Sequence, residues 1–358
     1  MTSSTEADPS PQPAPKMSTD PITVAPHSGE TSLKLALFIV GTLLWILLII
    51  SMVGAAYAIF FGVFFFVTHM ILIAHIRGSS VKLGPQQMSG LYNRVVQLSE
   101  RIGLKKVPDA YLLQAGGVLN AFATRFGSRN FVVLHSEMVR SCGENMDALD
   151  FIIAHELGHL HRGHLRWRWL KAPAMIVPFL GSAYYRSCEY TCDRYGAKAC
   201  SDPSHRLNGL CILAAGARYA PLVNQREFVA QTKDLNTPFM KLGGWFATHP
   251  PLARRAAALD PSLKPAGQSG ALSTLGALVL AALIILVPTA AIVGLLVTPL
   301  YLAGQDMRLK ALSSQQENLD AEQKFQQELN DAGGTAPKLG DLPPEVQDML
   351  RKQGIEPK

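Results

Sequence analysis

The sequence is short of charged residues. Asp, Glu, Lys and Arg make up 17% of its 358 residues, whereas hydrophobic residues make up 48%. Soluble domains carry about 25% charged residues, so this balance favours a chain with membrane-spanning segments. The formal net charge is +6, and the basic residues are interspersed with acidic ones. This pattern argues against nucleic acid as a partner.

Cysteine is scarce, and its number is odd. With five cysteines, a framework made only of disulfides would leave one thiol over, so we expect reduced thiols in a domain that faces a cytoplasm. Cys188 and Cys192 have C-x-x-x-C spacing, but the sequence has no second pair with that spacing. Buried thiols are therefore a better interpretation of this pair than a metal site.

Large apolar residues are rare at the start of the chain and dominate the next segment. Residues 1–32 are rich in Pro, Ser and Thr, which predicts a disordered tail. Residues 33–76 are almost wholly apolar and about twice as long as one crossing requires. They predict a transmembrane hairpin with its turn near Gly54. By the positive-inside rule, the basic residues after it predict that the next domain faces the cytoplasm. These residues are Arg77, Lys82, Arg94, Arg101, Lys105 and Lys106.

A second apolar block comes after that domain. Residues 271–303 predict a C-terminal transmembrane segment, favoured as one long span with two crossings left open, and residues 304–358 predict a polar tail. Between the two apolar blocks, residues 77–262 read as an α+β domain, mostly helical with a small sheet. The predicted helices are Gln86–Ile102, Asp147–His161, Arg186–Ala199 and Leu207–Tyr219, and the predicted strands are Val107–Leu113, Ala121–Phe126 and Phe131–Leu134.

The most informative motif is His155-Glu156-Leu157-Gly158-His159, a match to H-E-x-x-H. In a helix, residues four apart share a face and lie about 6 Å apart along the axis. Both imidazoles can therefore bind one zinc ion. Glu156 would then lie beside the metal, where it can act as a general base on water.

A zinc site for hydrolysis needs a third protein ligand and one open position. Glu189 and Asp193 are four residues apart on the next predicted helix, so Glu189 can bind the metal while Asp193 orients His155. His161 and His164 do not fit on the same ion and are predicted to be surface or supporting residues. If Glu189 is not a ligand, His164 or Asp193 is the next candidate. The predicted ligands of one Zn²⁺ ion are His155, His159 and Glu189.

These residues strongly resemble those of integral-membrane zinc endopeptidases, the HtpX-type heat-shock proteases and the type 1 CAAX prenyl proteases. The resemblance implies a gluzincin-type fold. It also implies that Asn120 and Ala121, on an edge strand, bind substrate backbone, and that His249 stabilises the oxyanion. Arg255 is expected to bind substrate and to assist His249 at the oxyanion. The matching motifs span about Pro85–Leu259. They are Asn120-Ala121-Phe122-Ala123, AHELGH, Glu189 with Asp193, and Thr248-His249-Pro250-Pro251 with Arg255.

The expected function is a zinc endopeptidase of a bacterial inner membrane that cleaves membrane or misfolded proteins. Two alternatives stay open: a narrow prenyl-peptide processing protease and a non-catalytic scaffold or chaperone. Glu156 argues against the scaffold, which has no need of a general base. One departure concerns the HtpX type, which has a membrane hairpin between H-E-x-x-H and the glutamate. Here that interval holds only Ala172–Gly181, too short to span a bilayer, which either dips into the membrane surface or packs in the core.

Overall fold

The computed structural model describes residues 18–143, 145–265 and 270–331, together with five isolated positions between 338 and 347. The chain divides into two units, residues 1–280 and 281–358. Of the segments predicted to be tails, residues 1–17 and most of 332–358 lie outside the described residues.

Two apolar helices open the described part of the chain, α1 (Glu30–Ile50) and α2 (Met52–Ser79). Both are long and apolar enough to cross a membrane. The break between them falls at Ser51, whose hydroxyl oxygen accepts a hydrogen bond from the Gly54 N–H at 3.2 Å and caps α2. Gly54 lies inside α2, where a Cβ would come within 2.7 Å of the Leu48 carbonyl oxygen. Glycine therefore permits the close reversal, although it is not the turn itself.

A four-stranded sheet comes after the apolar helices, with the strand order β1-β2-β4-β3. β2 is parallel to β4, and β3 is antiparallel to β4. The predicted hairpin is confirmed with a tighter turn, since only Gly127 and Ser128 separate its strands and Gly127 takes a φ of 57°. Because β3 stands last in the strand order, it forms one edge of the sheet. The strands are β1 (Val81–Lys82), β2 (Asp109–Leu113), β3 (Ala121–Phe126) and β4 (Arg129–His135).

Helices surround one face of this sheet, and the four predicted from the sequence are confirmed. The largest difference is at α7, which begins six residues before its predicted start and takes in the end of the run 172–181. The rest of that run packs against α1, because Ala174 and Leu37 are both fully buried in one cluster. The helices are α3 (Ser89–Ile102), α4 (Ser136–Cys142), α5 (Met146–His161), α6 (Arg168–Lys171), α7 (Leu180–Ala199), α8 (Asn208–Tyr219), α9 (Gln225–Ala230), α10 (Pro238–Phe246) and α11 (Leu252–Leu259).

α5 and α7 form the centre of the domain, and two glycines set how closely they approach. A Cβ on Gly158 of α5 would lie 3.0 Å from the ring of Tyr195, and one on Gly196 of α7 would lie 2.8 Å from Phe151. Larger residues at either position would push the helices apart. Polar side chains on the facing sides of the two helices consequently lie within hydrogen-bonding distance of one another.

The described part of the N-terminal segment, residues 18–29, packs along the domain, unlike the disordered tail expected from its composition. Ile22 and Val24 are buried. The Ile22 N–H donates to the Arg101 carbonyl at 2.7 Å, and Lys198 Nζ donates to the Thr23 carbonyl at 2.6 Å. The composition does not reveal this packing. Two buried apolar side chains are enough to hold the segment once neighbouring helices supply partners for its backbone hydrogen bonds.

The final helix is α12 (Ala271–Asp331), the third helix long and apolar enough to cross a membrane. It joins the predicted span 271–303 and the first part of the predicted polar tail into one continuous helix, with Pro288 and Pro299 in its interior. All five cysteines are buried free thiols, as predicted.

Candidate active site

α5 supplies three of the predicted site residues. Its first turn is capped by Asn145, whose side-chain oxygen accepts a hydrogen bond from the Ala148 N–H at 3.0 Å. Much of the helix is buried in the main hydrophobic core, which fixes its rotation. His155 and His159 consequently face α7, and Glu156 reaches β3.

The three predicted metal ligands converge. His155 Nε2 lies 3.5 Å from Glu189 Oε2, and His159 Nε2 lies 3.3 Å from Glu189 Oε1. Ligand atoms about 2.0–2.1 Å from a tetrahedral zinc ion lie about 3.3 Å from one another. The donor atoms of the three residues all fall within 4.8 Å of one another. Two imidazoles and one carboxylate at this spacing fit a zinc ion.

On one side of this set, a carboxylate holds His155 directly. Asp193 Oδ1 lies 3.1 Å from His155 Nδ1, so Nε2 is left to face Glu189. Arg255 in turn donates to Asp193 from Nε at 2.9 Å and from Nη2 at 2.5 Å. Burial alone would raise the pKa of Asp193, but the charge of Arg255 holds that pKa below its ordinary value.

The contacts of Arg255 differ from the role in substrate and oxyanion binding expected from the sequence. Arg255 is buried, and its Nη1 lies 3.4 Å from Glu189 Oε2 while its other nitrogens contact Asp193. A buried guanidinium shared by two carboxylates offsets part of their negative charge. Its position in the sequence, shortly after the conspicuous Pro250-Pro251 pair, gives no sign of this.

On the other side, the Nδ1 atom of His159 is linked to a carboxylate through a second histidine. His159 Nδ1 lies 3.1 Å from His164 Nδ1, and His164 Nε2 lies 3.3 Å from Glu30 Oε1. His164 is almost fully buried, which makes it a supporting residue and not a surface one. Sequence reasoning missed Glu30, whose only signal is that a carboxylate opens an apolar helix.

His159 and His164 also belong to a second set of candidate donors, with Cys192. Atoms of these three residues lie within 4.8 Å of one another, and Cys192 Sγ is 3.7 Å from His164 Nδ1. Burial, together with nearby charges such as that of Glu189, raises the pKa of the Cys192 thiol well above its ordinary value. Zinc binds the thiolate form of cysteine, so burial opposes ligation by Cys192. Glu189, in contrast, lies between both histidines of α5, which favours the set with Glu189 as the metal site.

Glu156 lies beside the ligand set and against the edge strand. Its Oε2 accepts a hydrogen bond from the Ala123 N–H at 2.7 Å. Removal of the carboxylate from water raises the pKa of Glu156. The contact with Ala123 was not predicted, since only the pairing of β3 with β4 reveals which backbone groups of β3 point towards α5.

The other predicted site residues lie along the same region. Asn120 is exposed and precedes β3, and Ala121 is the first residue of β3. His249 is mostly exposed, with its Nε2 3.5 Å from Glu189 Oε1. Arg186 of α7 fixes the segment before His249, since its Nη1 donates to the carbonyl oxygens of Trp245 and Ala247 at 2.7 and 2.8 Å.

A two-histidine, one-glutamate donor set on two closely packed helices, with a glutamate beside it and an edge strand alongside, is the arrangement of a metallopeptidase. The profile described as Peptidase family M48 matches residues 85–177 and 170–262, and the chain belongs to this family. Family membership implies a metal cofactor. Together with the three long apolar helices, it makes the chain an integral membrane protein.

Relatives with known descriptions share moderate identity with this chain. It is 28% identical over 196 residues to the plastoglobule-localized metallopeptidase 48 of Arabidopsis thaliana, a match covering 50% of this chain and 56% of that one. It is 27% identical over 221 residues to a protease HtpX homolog of Gemmatimonas aurantiaca, covering 49% and 76%. The match thus spans little more than half of the plant relative. Among solved structures, the S. mikatae Ste24p crystal structure aligns over 64% of both chains, with 19% identity and a TM-score of 0.36.

Proposed function

We propose that this chain is a membrane-anchored, zinc-dependent endopeptidase that hydrolyses peptide bonds of membrane or misfolded proteins. The observation that carries the proposal is the convergence of His155, His159 and Glu189 at zinc-ligand spacing, with Glu156 between this set and an open strand edge. A scaffold would need the helices but not this arrangement of donors and base.

In this proposal, His155, His159 and Glu189 hold one Zn²⁺ ion, and Asp193 and Arg255 keep His155 and Glu189 in place. The carboxylate oxygens of Glu189 lie 3.5 Å from His155 Nε2 and 3.3 Å from His159 Nε2, and these distances match those between ligands on a tetrahedral ion. When bound, zinc supplies Lewis-acid chemistry: it acidifies water and polarises the scissile carbonyl.

Glu156 is the general base. The Ala123 N–H holds its Oε2 at 2.7 Å, which leaves Oε1 to take the proton from the attacking water. The carboxyl then delivers this proton to the leaving amine. Its raised pKa favours proton uptake, because a base buried from water holds a proton more readily than an exposed carboxylate.

The edge of β3 is the proposed binding site for the peptide backbone. Ala121 and Ala123 lie two residues apart, so their outward backbone groups point the same way, and the direction is set by the bond from Ala123 to Glu156. A polypeptide added as a strand beside Ala121 would run past Glu156. Recognition through backbone groups depends little on side chains, which suits unfolded substrates of varied sequence.

His249 is proposed to stabilise the oxyanion. Its ring is mostly exposed to the solvent side of the site, and Nε2 lies 3.5 Å from Glu189 Oε1. A donor at this distance from a metal ligand can reach the oxygen of a carbonyl bound between them. Asn120, exposed at the start of the strand, is proposed to bind the substrate chain beyond Ala121.

We place the protease domain on the cytoplasmic side of a bacterial inner membrane. The basic residues after α2, beginning with Lys82 and Arg94, favour that orientation. The five buried free thiols suit a reducing compartment.

The proposal is tested by incubating zinc-loaded, full-length protein with unfolded casein and with a prenylated peptide. Glu156→Gln should lower turnover by about a hundredfold or more, since the base is lost while the shape is kept. Glu100→Gln, on the surface of α3, is the matched control. Cleavage of the prenylated peptide but not of casein would favour a narrow prenyl-peptide processing protease over a broad endopeptidase. Equal turnover by Glu156→Gln would contradict the proposal.

A further inference from the structure

The two histidines of the proposed zinc site are held by carboxylates of different origin. For His155 the carboxylate is Asp193, in the same domain, whereas for His159 it is Glu30, the first residue of the first membrane helix. We propose that Glu30 is a positioning residue of the metal centre, which fixes the orientation and tautomer of His159 through His164. This inference rests on the proposed role of His159 as a zinc ligand.

The hydrogen bonds set the tautomers in sequence. An ionised carboxylate only accepts, so Glu30 Oε1 requires a proton on His164 Nε2, 3.3 Å away. In the neutral ring, His164 Nδ1 is then an acceptor, and it lies 3.1 Å from His159 Nδ1. His159 must therefore carry its proton on Nδ1, which leaves the lone pair of Nε2 facing Glu189 for the metal.

Glu30 is itself held in place on several sides. It is 1% exposed, and the Nε and Nη2 atoms of Arg162 donate to its Oε1 at 3.2 and 3.0 Å. The Thr191 hydroxyl on α7 donates to its other oxygen, Oε2. A buried carboxylate with an arginine, a hydroxyl and an imidazole around it is built into the fold and is not a surface charge.

The membrane helix that carries Glu30 is packed tightly against the segment after α5. Trp45 Nε1 donates to the Trp169 carbonyl oxygen at 3.0 Å. A Cβ on Gly41 would overlap the Leu170 carbonyl oxygen, so helix and segment approach closely there. Lys171 Nζ donates to the carbonyl oxygen of His164 itself at 3.2 Å. The position of α1 therefore determines where His164 lies, and the anchor becomes part of the metal centre.

The test measures zinc affinity in full-length protein in detergent, by competition with a chelator. All variants carry Glu156→Gln, so that turnover and self-cleavage do not contribute. Glu30→Gln, which removes the charge that sets the tautomers, should weaken zinc binding about tenfold or more, as removal of residues supporting metal ligands does. Glu30→Asp should recover part of the loss, and His164→Phe should match or exceed it.

Asp150→Asn is the matched control. Asp150 is a buried carboxylate on α5 that pairs with Arg94 at 3.1 Å, away from the ligand set. Its loss should lower the thermal midpoint of the metal-free protein and leave zinc affinity unchanged. In cobalt-loaded protein, Glu30→Gln should alter the visible absorption bands, whereas Asp150→Asn should not, which separates ligand positioning from general destabilisation.

Unchanged zinc affinity in Glu30→Gln would overturn this inference and leave the proposed function standing. An equal loss of affinity in Asp150→Asn would also overturn it, since the effect would then come from folding alone. If the parent Glu156→Gln protein binds no zinc, the proposed function fails, and the role of Glu30 falls with it.

Discussion

The two zinc-ligand histidines proposed here share a helix but have different surroundings. His155 meets Asp193 directly at 3.1 Å, and Arg255 neutralises that carboxylate. His159 meets His164 at 3.1 Å and reaches Glu30 only through it. The His155 side is thus built from α7 and α11 of the protease domain, whereas the His159 side depends on the first apolar helix.

This difference shows how one short motif can be completed in two ways. An imidazole needs one fixed partner on its second nitrogen to present the first to a metal. A carboxylate four residues from a ligand supplies that partner on the His155 side, where the helix repeat brings Asp193 into place beside Glu189. On the His159 side, an added histidine extends the reach to a carboxylate far earlier in the chain, at the start of α1.

The largest effect is expected where the two sides meet, at Glu189. Glu189→Ala leaves His155 and His159 as the only protein ligands of the proposed set, and a catalytic zinc site needs three. The variant should purify almost free of zinc, as measured by elemental analysis, and activity should return only partly with excess zinc. Zinc content equal to that of the wild type would place the third ligand elsewhere, and His164 or Asp193 would be the next candidate.

His161→Asn is the matched control for that experiment. His161 belongs to the same histidine-rich string, but its Nδ1 bonds to the Tyr195 hydroxyl at 2.8 Å. Its loss should leave about one zinc per chain. A drop in zinc content in this variant would mean that the whole string, and not the set of His155, His159 and Glu189, determines metal binding.

A smaller loss of zinc affinity is expected when only the surroundings of His155 are changed. Asp193→Asn removes the charge that orients His155 and pairs with Arg255, so zinc affinity should fall about 10–100-fold. Chelator competition on this variant and on Glu30→Gln compares the two sides directly. The direct contact should give the greater loss, and a greater loss from Glu30→Gln would reverse the ranking of the two sides.

A change outside both sides should leave the metal untouched. Asn120→Ala removes a side chain proposed to bind substrate beside the edge strand, so KM for a peptide should rise about fivefold, the value of one hydrogen bond. Asn130→Ala, at the start of the hairpin strand β4, is the control and should keep its KM. Loss of zinc in Asn120→Ala would place Asn120 in the metal site, and unchanged kinetics would end its proposed role.

An effect of about the same size, on stability instead of binding, is expected at Asp147, at the opposite end of the helix that carries both histidines. Burial alone would raise its pKa, but hydrogen bonds from the Ser201 N–H and hydroxyl at 2.7 Å, and from His205, hold that pKa below its ordinary value. A lowered folded-state pKa stabilises the protein fully above about pH 4, and this stabilisation disappears as the pH falls through the folded-state value.

Asp147→Asn should therefore lower the thermal midpoint of the metal-free protein at pH 6, by an amount worth about 1–2 kcal/mol. The gap from the wild type should close towards pH 3. Thermal unfolding in detergent at several pH values between 6 and 3 measures this difference in thermal midpoint. A gap that stays constant with pH would show that Asp147 acts through packing and not through its charge.

The sequence predicted the parts of the site that depend on local periodicity. His155 and His159 come from one helical repeat, with Glu156 beside them, and Glu189 and Asp193 come from another. Spacing alone therefore brings each pair onto one helix face. Two apolar segments of membrane-spanning length were likewise visible from composition. The resemblance added Asn120, Ala121 and His249, which no periodicity singles out.

Contacts between segments that lie far apart could not be read from the sequence. Glu30 lies in the segment whose composition predicts a disordered tail, and Arg255 was expected to be available to substrate. Their roles depend on which element packs against α5, information that a single sequence does not contain. The contact of the Ala123 N–H with Glu156 is of the same kind, because it depends on the register of β3 against β4.

In the proposed site, zinc is held by His155, His159 and Glu189 and not by the neighbouring set that contains Cys192. X-ray absorption at the zinc edge of full-length Glu156→Gln protein tests it most directly, because sulfur lies about 2.3 Å from zinc and nitrogen or oxygen about 2.0–2.1 Å. We expect four nitrogen or oxygen ligands, two of them imidazoles, and no sulfur. A sulfur atom near 2.3 Å would instead place Cys192 on the metal and exclude the proposed ligand set.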